Sequence, residues 1–251
     1  MSDVLTYPPE TYGERFLALY ERLNGEESME PMAEWRGPNY DARIWCSRGE
    51  VLEKAGLTVM HIRHDDPDGV RLVRHFDTVI HPHNPRVPGF VIVIGQEITE
   101  PTQERRLYCL MDMWRTTRRL EGHIVERFRR SIEAVCQDHG RSYAELNAPL
   151  AGVRLFGDNG CGAGVFHGQL SQADIPFLDR LVQCAADEIA GIIESCHRWS
   201  PDVNDFRERN EIRRQFLVWA LTENPGTRRA VAAGVPWSVF ERFAFPPEVS
   251  Y

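Results

Sequence analysis

Between Glu10 and Asn24 the apolar residues Phe16, Leu19, Tyr20 and Leu23 recur at three- and four-residue spacing, which predicts an amphipathic helix. An acidic stretch with Met and Pro, residues 25–38, reads as a loop. The period then drops to two. "ARIWCSRGEVLEKAGLTVMHIRH" (42–64) reads as two short strands around a turn at Ser47–Gly49, with a third strand near 57–64. "DDPDG" (65–69) is a turn signal, and "VRLVRHFDTVIH" (70–81) alternates as a strand rich in β-branched residues. A proline-rich break over 82–88 leads into a strand at 89–98, and another follows at 105–113. Leu120, Ile124, Phe128, Ile132 and Val135 predict a helix within 116–139, and "RSYAELNA" (141–148) a further irregular or helical piece. "CGAGVFHG" (161–168) reads as a Gly-flanked strand. Ser171 is placed to cap a helix over 172–198, whose buried face carries Phe177, Leu181, Cys184, Ala185, Ile189, Ile192 and Cys196. Near the end, "DFRERNEIRR" reads as a short helix, "QFLVWALT" as a strand and "ENPG" as a turn before the closing "PWSVFERFAFPP". Strands in adjacent runs, with helices before and after, predict an α+β fold: a large, mostly antiparallel sheet covered by helices rather than a βαβ alternation. The expected organisation is a single domain over 1–251.

Composition narrows the class. The chain has 251 residues, 42% hydrophobic, enough to bury a core, and no apolar run approaches the roughly 20 residues a membrane span needs. "MSDVLTYPPE" lacks the charged start and apolar stretch of a secretory signal. Six cysteines are scattered without a Cys-x-x-Cys pair, which fits a reduced, cytoplasmic setting. A net charge of −8 argues against nucleic acid as a partner. The chain holds 28 arginines and one lysine, Lys54, a bias that fits either codon usage or recognition of carboxylate or phosphate by guanidinium forks.

Several segments resemble one family. "GEVLEKAGLTV" (49–59), "VIHPHNPRVP" (79–88) and "CQDHGRSY" (136–143) are similar, in this order, to motifs of the aerobic, oxygen-dependent coproporphyrinogen oxidases. Weaker echoes are Arg43, Asp112, "GCGAG" (160–164), "NPGT" (224–227) and "FPP" (245–247). The resemblance implies a sheet of about seven strands sandwiched between helical layers, and a homodimer. It also implies oxidative decarboxylation of pyrrole propionates with molecular oxygen as co-substrate and no required cofactor. The chain departs from the family after the His-Pro turn. There the family carries a histidine, an asparagine and an arginine, whereas this strand offers Gly89, Val91, Val93 and Gly95. A tetracarboxylate without charged partners binds poorly, because burying an unpaired carboxylate is costly. The expected substrate is therefore smaller.

New polar groups stand one strand earlier. With period two, His75, Asp77 and His81 share a face of strand 70–81, His75 and Asp77 about 7 Å apart. Two chemical readings stay open beside a purely structural one. His75 is a general base or proton shuttle oriented by Asp77, or the pair supplies two ligands for Fe(II) or another transition metal, with a third histidine from elsewhere. Asp112 is expected near the catalytic groups, and Arg43, His81 and Trp114 are expected to contact substrate: Arg43 by pairing a carboxylate, Trp114 by stacking on a ring. The functional expectation is an oxygen-dependent oxidoreductase that oxidises or oxidatively decarboxylates a small electron-rich aromatic or heteroaromatic acid. The alternatives are a genuine coproporphyrinogen oxidase and a non-catalytic relative that binds a tetrapyrrole or a partner.

Overall fold

The computed structural model describes residues 9–66, 69–100, 102–153 and 158–248. Seven strands lie side by side in chain order, each antiparallel to the next: β1 (Ala33–Gly37), β2 (Tyr40–Ser47), β3 (Leu52–Asp66), β4 (Gly69–Pro82), β5 (Gly89–Glu100), β6 (Glu104–Trp114) and β7 (Val165–Leu170). Side chains alternate between faces along a strand, so register assigns every residue to one layer. The cross-strand row Arg43, Val59, Phe76, Ile94, Cys109 points one way; the next row, Ala42, Met60, His75, Gly95, Tyr108, points the other.

The first face is covered by α1 (Pro9–Asn24), α2 (Gly122–Asp138) and α5 (Ile175–Cys196), with the short α3 (Tyr143–Asn147) and α4 (Leu150–Val153) between the last two in sequence. Phe16, Phe76, Ile94, Phe128, Leu181 and Ile189 belong to the core on this side. The second face packs against α6 (Val203–Thr222), α7 (Pro225–Ala232) and α8 (Trp237–Phe243), through a core that includes Ile44, Val79, Phe216, Trp219, Phe240 and Phe243. The α+β class and the antiparallel sheet covered by helices are as the sequence predicts, and the seven strands match the number that the resemblance implies. Among the described residues no helix is long and apolar enough to cross a membrane.

Several local expectations are corrected. Strand β1 occupies part of the expected loop 25–38. The second and third short strands of 42–64 are one 15-residue strand, β3, held between β2 and β4. The expected strand 215–222 is the second half of α6. Its aromatic and β-branched residues suggested a strand, but Asp202 and Asp205 form a reciprocal capping box. Ile212, Phe216, Trp219 and Ala220 then lie on one buried helical face. Asn224, expected in a turn, caps α7, with Pro225 at its first position. The turn predicted at 65–69 joins β3 to β4; its residues 67 and 68 lie outside those described. The strand expected at 161–168 begins only at Val165, because the backbone N–H groups of Gly162, Ala163 and Gly164 bind a side chain instead.

Candidate functional site

The motifs that carry the family resemblance serve the scaffold. Glu53 accepts hydrogen bonds from Arg209 and Arg213 of α6. Lys54, buried, donates to the carbonyls of Glu241 and, at 2.6 Å, of Phe245. A Cβ on Gly56 would strike the backbone of Phe243, so the glycine lets α8 lie directly on β3. The His-Pro turn does similar work. His81 is buried, its Nε2 2.9 Å from the carbonyl of Ala244, with the rings of Trp114 and Phe216 edge-on to it. Asn84 donates to the carbonyls of His197 and Trp199 in the opposite helical layer, at 3.0 and 2.5 Å. The turn thus ties both layers to the sheet.

Between the second face and helices α6–α8 lies a cavity of about 400 Å³. Its floor is β4, where Val73, His75, Asp77 and Val79 line it in alternation, flanked by Val91 and Val93 of β5 and by Tyr108 and Leu110 of β6. Phe216 and Trp219 of α6, together with Phe240, Phe243 and Phe245, form much of the remaining wall.

Three polar groups converge on this floor. The Tyr108 hydroxyl lies 3.3 Å from Nδ1 of His75. The contact crosses an intervening strand, since Gly95 of β5 pairs with His75 on one side and Tyr108 on the other. A Cβ on Gly95 would collide with the Tyr108 ring, so the absent side chain is what lets the phenol reach the imidazole. Asp77 faces the cavity one position further along, and its Oδ1 has no hydrogen-bond partner. Burial, with a smaller push from His61, lowers the His75 pKa to about 4, and burial raises that of Asp77 to about 7. Burial likewise raises Tyr108 above the usual phenol range. Near neutrality the imidazole is unprotonated while the carboxyl holds its proton about half the time, so an acceptor and a donor stand side by side.

Charge is placed at the periphery. Glu97 binds Arg71 and, at 3.0 Å, Arg106, and these guanidiniums hold its carboxyl below the ordinary value against the opposing effect of burial. Arg229 of α7 also lines the cavity and has no acidic partner among the described residues. The guanidiniums of Arg71, Arg106 and Arg229 thus line the cavity together with the ionised carboxylate of Glu97. Apolar walls with guanidiniums in the lining suit an apolar acid.

Of the residues expected from the sequence, His75 and Asp77 line the cavity and the others do not. Arg43 is on the opposite face, bound to Glu10 at 2.8 Å. Its strand register, not its chemistry, removes it from the site. His81 and Trp114 meet edge to face outside the cavity, Trp114 lying across Gly89. Asp112 is buried and accepts from the N–H groups of Gly162, Ala163 and Gly164 at 2.9, 2.9 and 3.1 Å. Burial raises its pKa to about 6 against those bonds, and its role is to anchor the loop before β7. Among the described residues no group of three His, Cys, Asp or Glu side chains is arranged to hold a metal ion. Tyr108, Glu97, Arg71, Arg106 and Arg229 were not singled out from the sequence. The one local signal was Gly95, a glycine inside an apolar strand, which marks a close approach. No family model and no curated protein matches this chain, so the likeness to coproporphyrinogen oxidases rests on the quoted motifs.

Proposed function

We propose that the chain is an oxygen-dependent oxidoreductase that takes a small, electron-rich aromatic or heteroaromatic acid into this cavity. The observation that carries the reading is the meeting of His75, Tyr108 and Asp77 on the floor of an aromatic-walled cavity that Arg229 also lines. The oxidative character comes from the family resemblance; the acid–base pair and the preference for an acid come from the geometry. Arg229 orients the substrate by its carboxylate or by a second acidic group, and the ring lies against Phe216, Trp219 and Phe240.

For an arylpropionate the reaction balances as follows. Substrate, dioxygen and one proton give a vinyl arene, carbon dioxide and hydrogen peroxide. The C–H bond next to the ring and the C–C bond to the carboxylate break, a C=C bond forms, and two electrons pass to dioxygen. Neutral His75, positioned by Tyr108, accepts the proton that leaves carbon. Asp77 delivers one of the two protons that the reduced oxygen requires, and protonated His75 passes on the other, the one taken from carbon.

A coproporphyrinogen carries four carboxylates, whereas the lining offers one guanidinium without an acidic partner among the described residues. A smaller acid is therefore favoured. The test is oxygen uptake by the purified protein with indole- and pyrrole-propionic acids, with peroxide and carbon dioxide measured in parallel. Equal amounts of both products, lost in His75→Ala, are expected. Binding of these acids without any oxygen consumption would reduce the protein to a binding module and sink the proposal.

A further inference from the structure

The cavity described above meets solvent on one side. Among the described residues that line it, those exposed are Gly168 of β7 and Pro225, Gly226 and Arg229 of α7. Helix α7 packs towards β3, at the other side of the floor from β7, so these residues form opposite lips of a mouth over the strands between. Both lips reach Tyr108. The positive charge of Arg229 acts on the phenol against the effect of burial, and β7 runs beside β6, the strand of Tyr108.

His167 pairs with Cys109, which faces the first helical layer, so Phe166 and Gly168 point to the cavity. The pairing shifts between Leu107 and Cys109, which sets Gly168 and Gln169 opposite Tyr108. Tyr108 thus has a glycine on each neighbouring strand, and the two differ. At Gly95 a Cβ would strike the Tyr108 ring, so the missing side chain serves close packing. At Gly168 a Cβ would meet nothing within 4 Å, and the backbone there is not in the left-handed region that favours glycine. Neither packing nor conformation calls for glycine at this position. The remaining use of a strand glycine is to keep room for a molecule that passes close to the backbone. Here that room is an opening beside the phenol, on the edge strand.

We propose that Gly168 is a specificity-determining residue: acids enter the cavity between it and α7, and the width it leaves beside Tyr108 sets the size of ring substituent that is admitted. This rests on the reading that the cavity takes an aromatic acid. Arg229, exposed on the opposite lip, attracts the carboxylate on the way in. A larger side chain at position 168 would extend into the mouth rather than into packed atoms, so it would select by size without disturbing the core.

The experiment uses the full chain and its variants Gly168→Ala, Gly168→Val and Gly168→Phe. Gln169→Phe is the control, since it places the same bulk on β7 outside the cavity lining. Association of 3-phenylpropionate and of its 4-tert-butyl derivative is followed by stopped-flow tryptophan fluorescence, Trp219 being part of the wall. Slowing should grow from Ala through Val to Phe. Gly168→Val should slow the tert-butyl acid about tenfold or more and 3-phenylpropionate by less, and Gly168→Phe should slow both about tenfold or more. Gln169→Phe should change neither rate. The Gly168 variants should melt no more than a few degrees below the parent, because a strand accepts these side chains at least as well as glycine. The proposal is overturned if Gly168→Phe associates as fast as the parent, or if Gly168→Ala slows binding as much as Gly168→Phe. It is equally overturned if the variants melt markedly lower, because the glycine would then serve the fold. A parent chain that binds neither acid sinks the reading of the cavity and the mouth with it, whereas size-graded binding without oxygen consumption supports the mouth and removes only the reaction.

Discussion

Replacing Asp77 by Asn should raise stability and remove activity together, and the size of the first effect follows from the structure. Asp77 takes its proton at about 7 in the fold and near 3.8 when unfolded. Between those values the unfolded chain is ionised and the folded chain is not, so the unfolded state binds fewer protons. Stability from this group is therefore complete below the lower value and is lost as pH rises through the upper one, by about 1.4 kcal/mol per pH unit. The full span is about 4 kcal/mol, and contact of the carboxyl with the open cavity reduces it to about 2–4 kcal/mol. His75 has the opposite sign: its contribution is complete above 6.5 and is lost as pH falls towards about 4. It is present in both proteins and cancels in the comparison. The other charged or titratable groups around the cavity, His64, Arg71, Glu97, Arg106, Tyr108 and Arg229, are also common to both. Urea denaturation of the two proteins between pH 4 and pH 8, with m-values compared, gives the difference directly. The gap should be near zero at about pH 4, widen with pH, and level off above about pH 7. Turnover of the preferred acid should fall at least about a hundredfold, as expected when a proton donor is lost. A gap that does not change with pH, or a variant that turns over normally, would refute the reasoning.

Three further outcomes are expected. Tyr108→Phe should leave the melting temperature within a few degrees, because one partly exposed hydrogen bond is worth about 1 kcal/mol, while kcat falls about tenfold or more through loss of the contact to His75. Gly95→Ala pushes the Tyr108 ring aside and should destabilise the fold by about 1–3 kcal/mol in urea titration, with a kcat no higher than that of Tyr108→Phe. Arg229→Leu should raise KM for an acidic substrate about tenfold or more and leave KM for its neutral amide analogue unchanged, as steady-state kinetics would show.

Much of the fold was legible because burial imposes its period on the sequence. The run Phe90–Ile94 of β5 is wholly apolar, and α5 keeps an apolar stripe over 22 residues. The second half of α6 was not legible, since "QFLVWALT" carries strand-like residues and its helical phase is set upstream by the Asp202–Asp205 cap. The placement of His75 and Asp77 on one face followed from the twofold period alone. Tyr108 could not be found in that way. It lies 33 residues from His75 and reaches it only because β4, β5 and β6 adopt one particular register. Arg43 shows the converse error. A residue matched by motif fell on the wrong face because the strand parity that decides its direction is independent of the resemblance.

Strand β5 carries no polar side chain between Gly89 and Gly95, and its two glycines explain why it needs none. Each lets an aromatic ring from β6 lie across the strand to a histidine of β4: Trp114 over Gly89 to His81, and Tyr108 over Gly95 to His75. The two devices share a geometry and differ in their surroundings. At His81 the far side of the imidazole meets the Ala244 carbonyl and the Phe216 ring, so its hydrogen bond is spent within the protein and the turn is locked. At His75 the neighbouring group is a hydroxyl, the next residue on that face is a carboxyl with an unpartnered oxygen, and the surface beyond is a cavity. A buried imidazole closed by carbonyl and rings has only structural work. The same imidazole beside a phenol and an unpaired carboxyl keeps proton-transfer capacity that the fold does not consume. That difference, and not the histidines themselves, is why the proposed chemistry is placed at one end of β4 and architecture at the other.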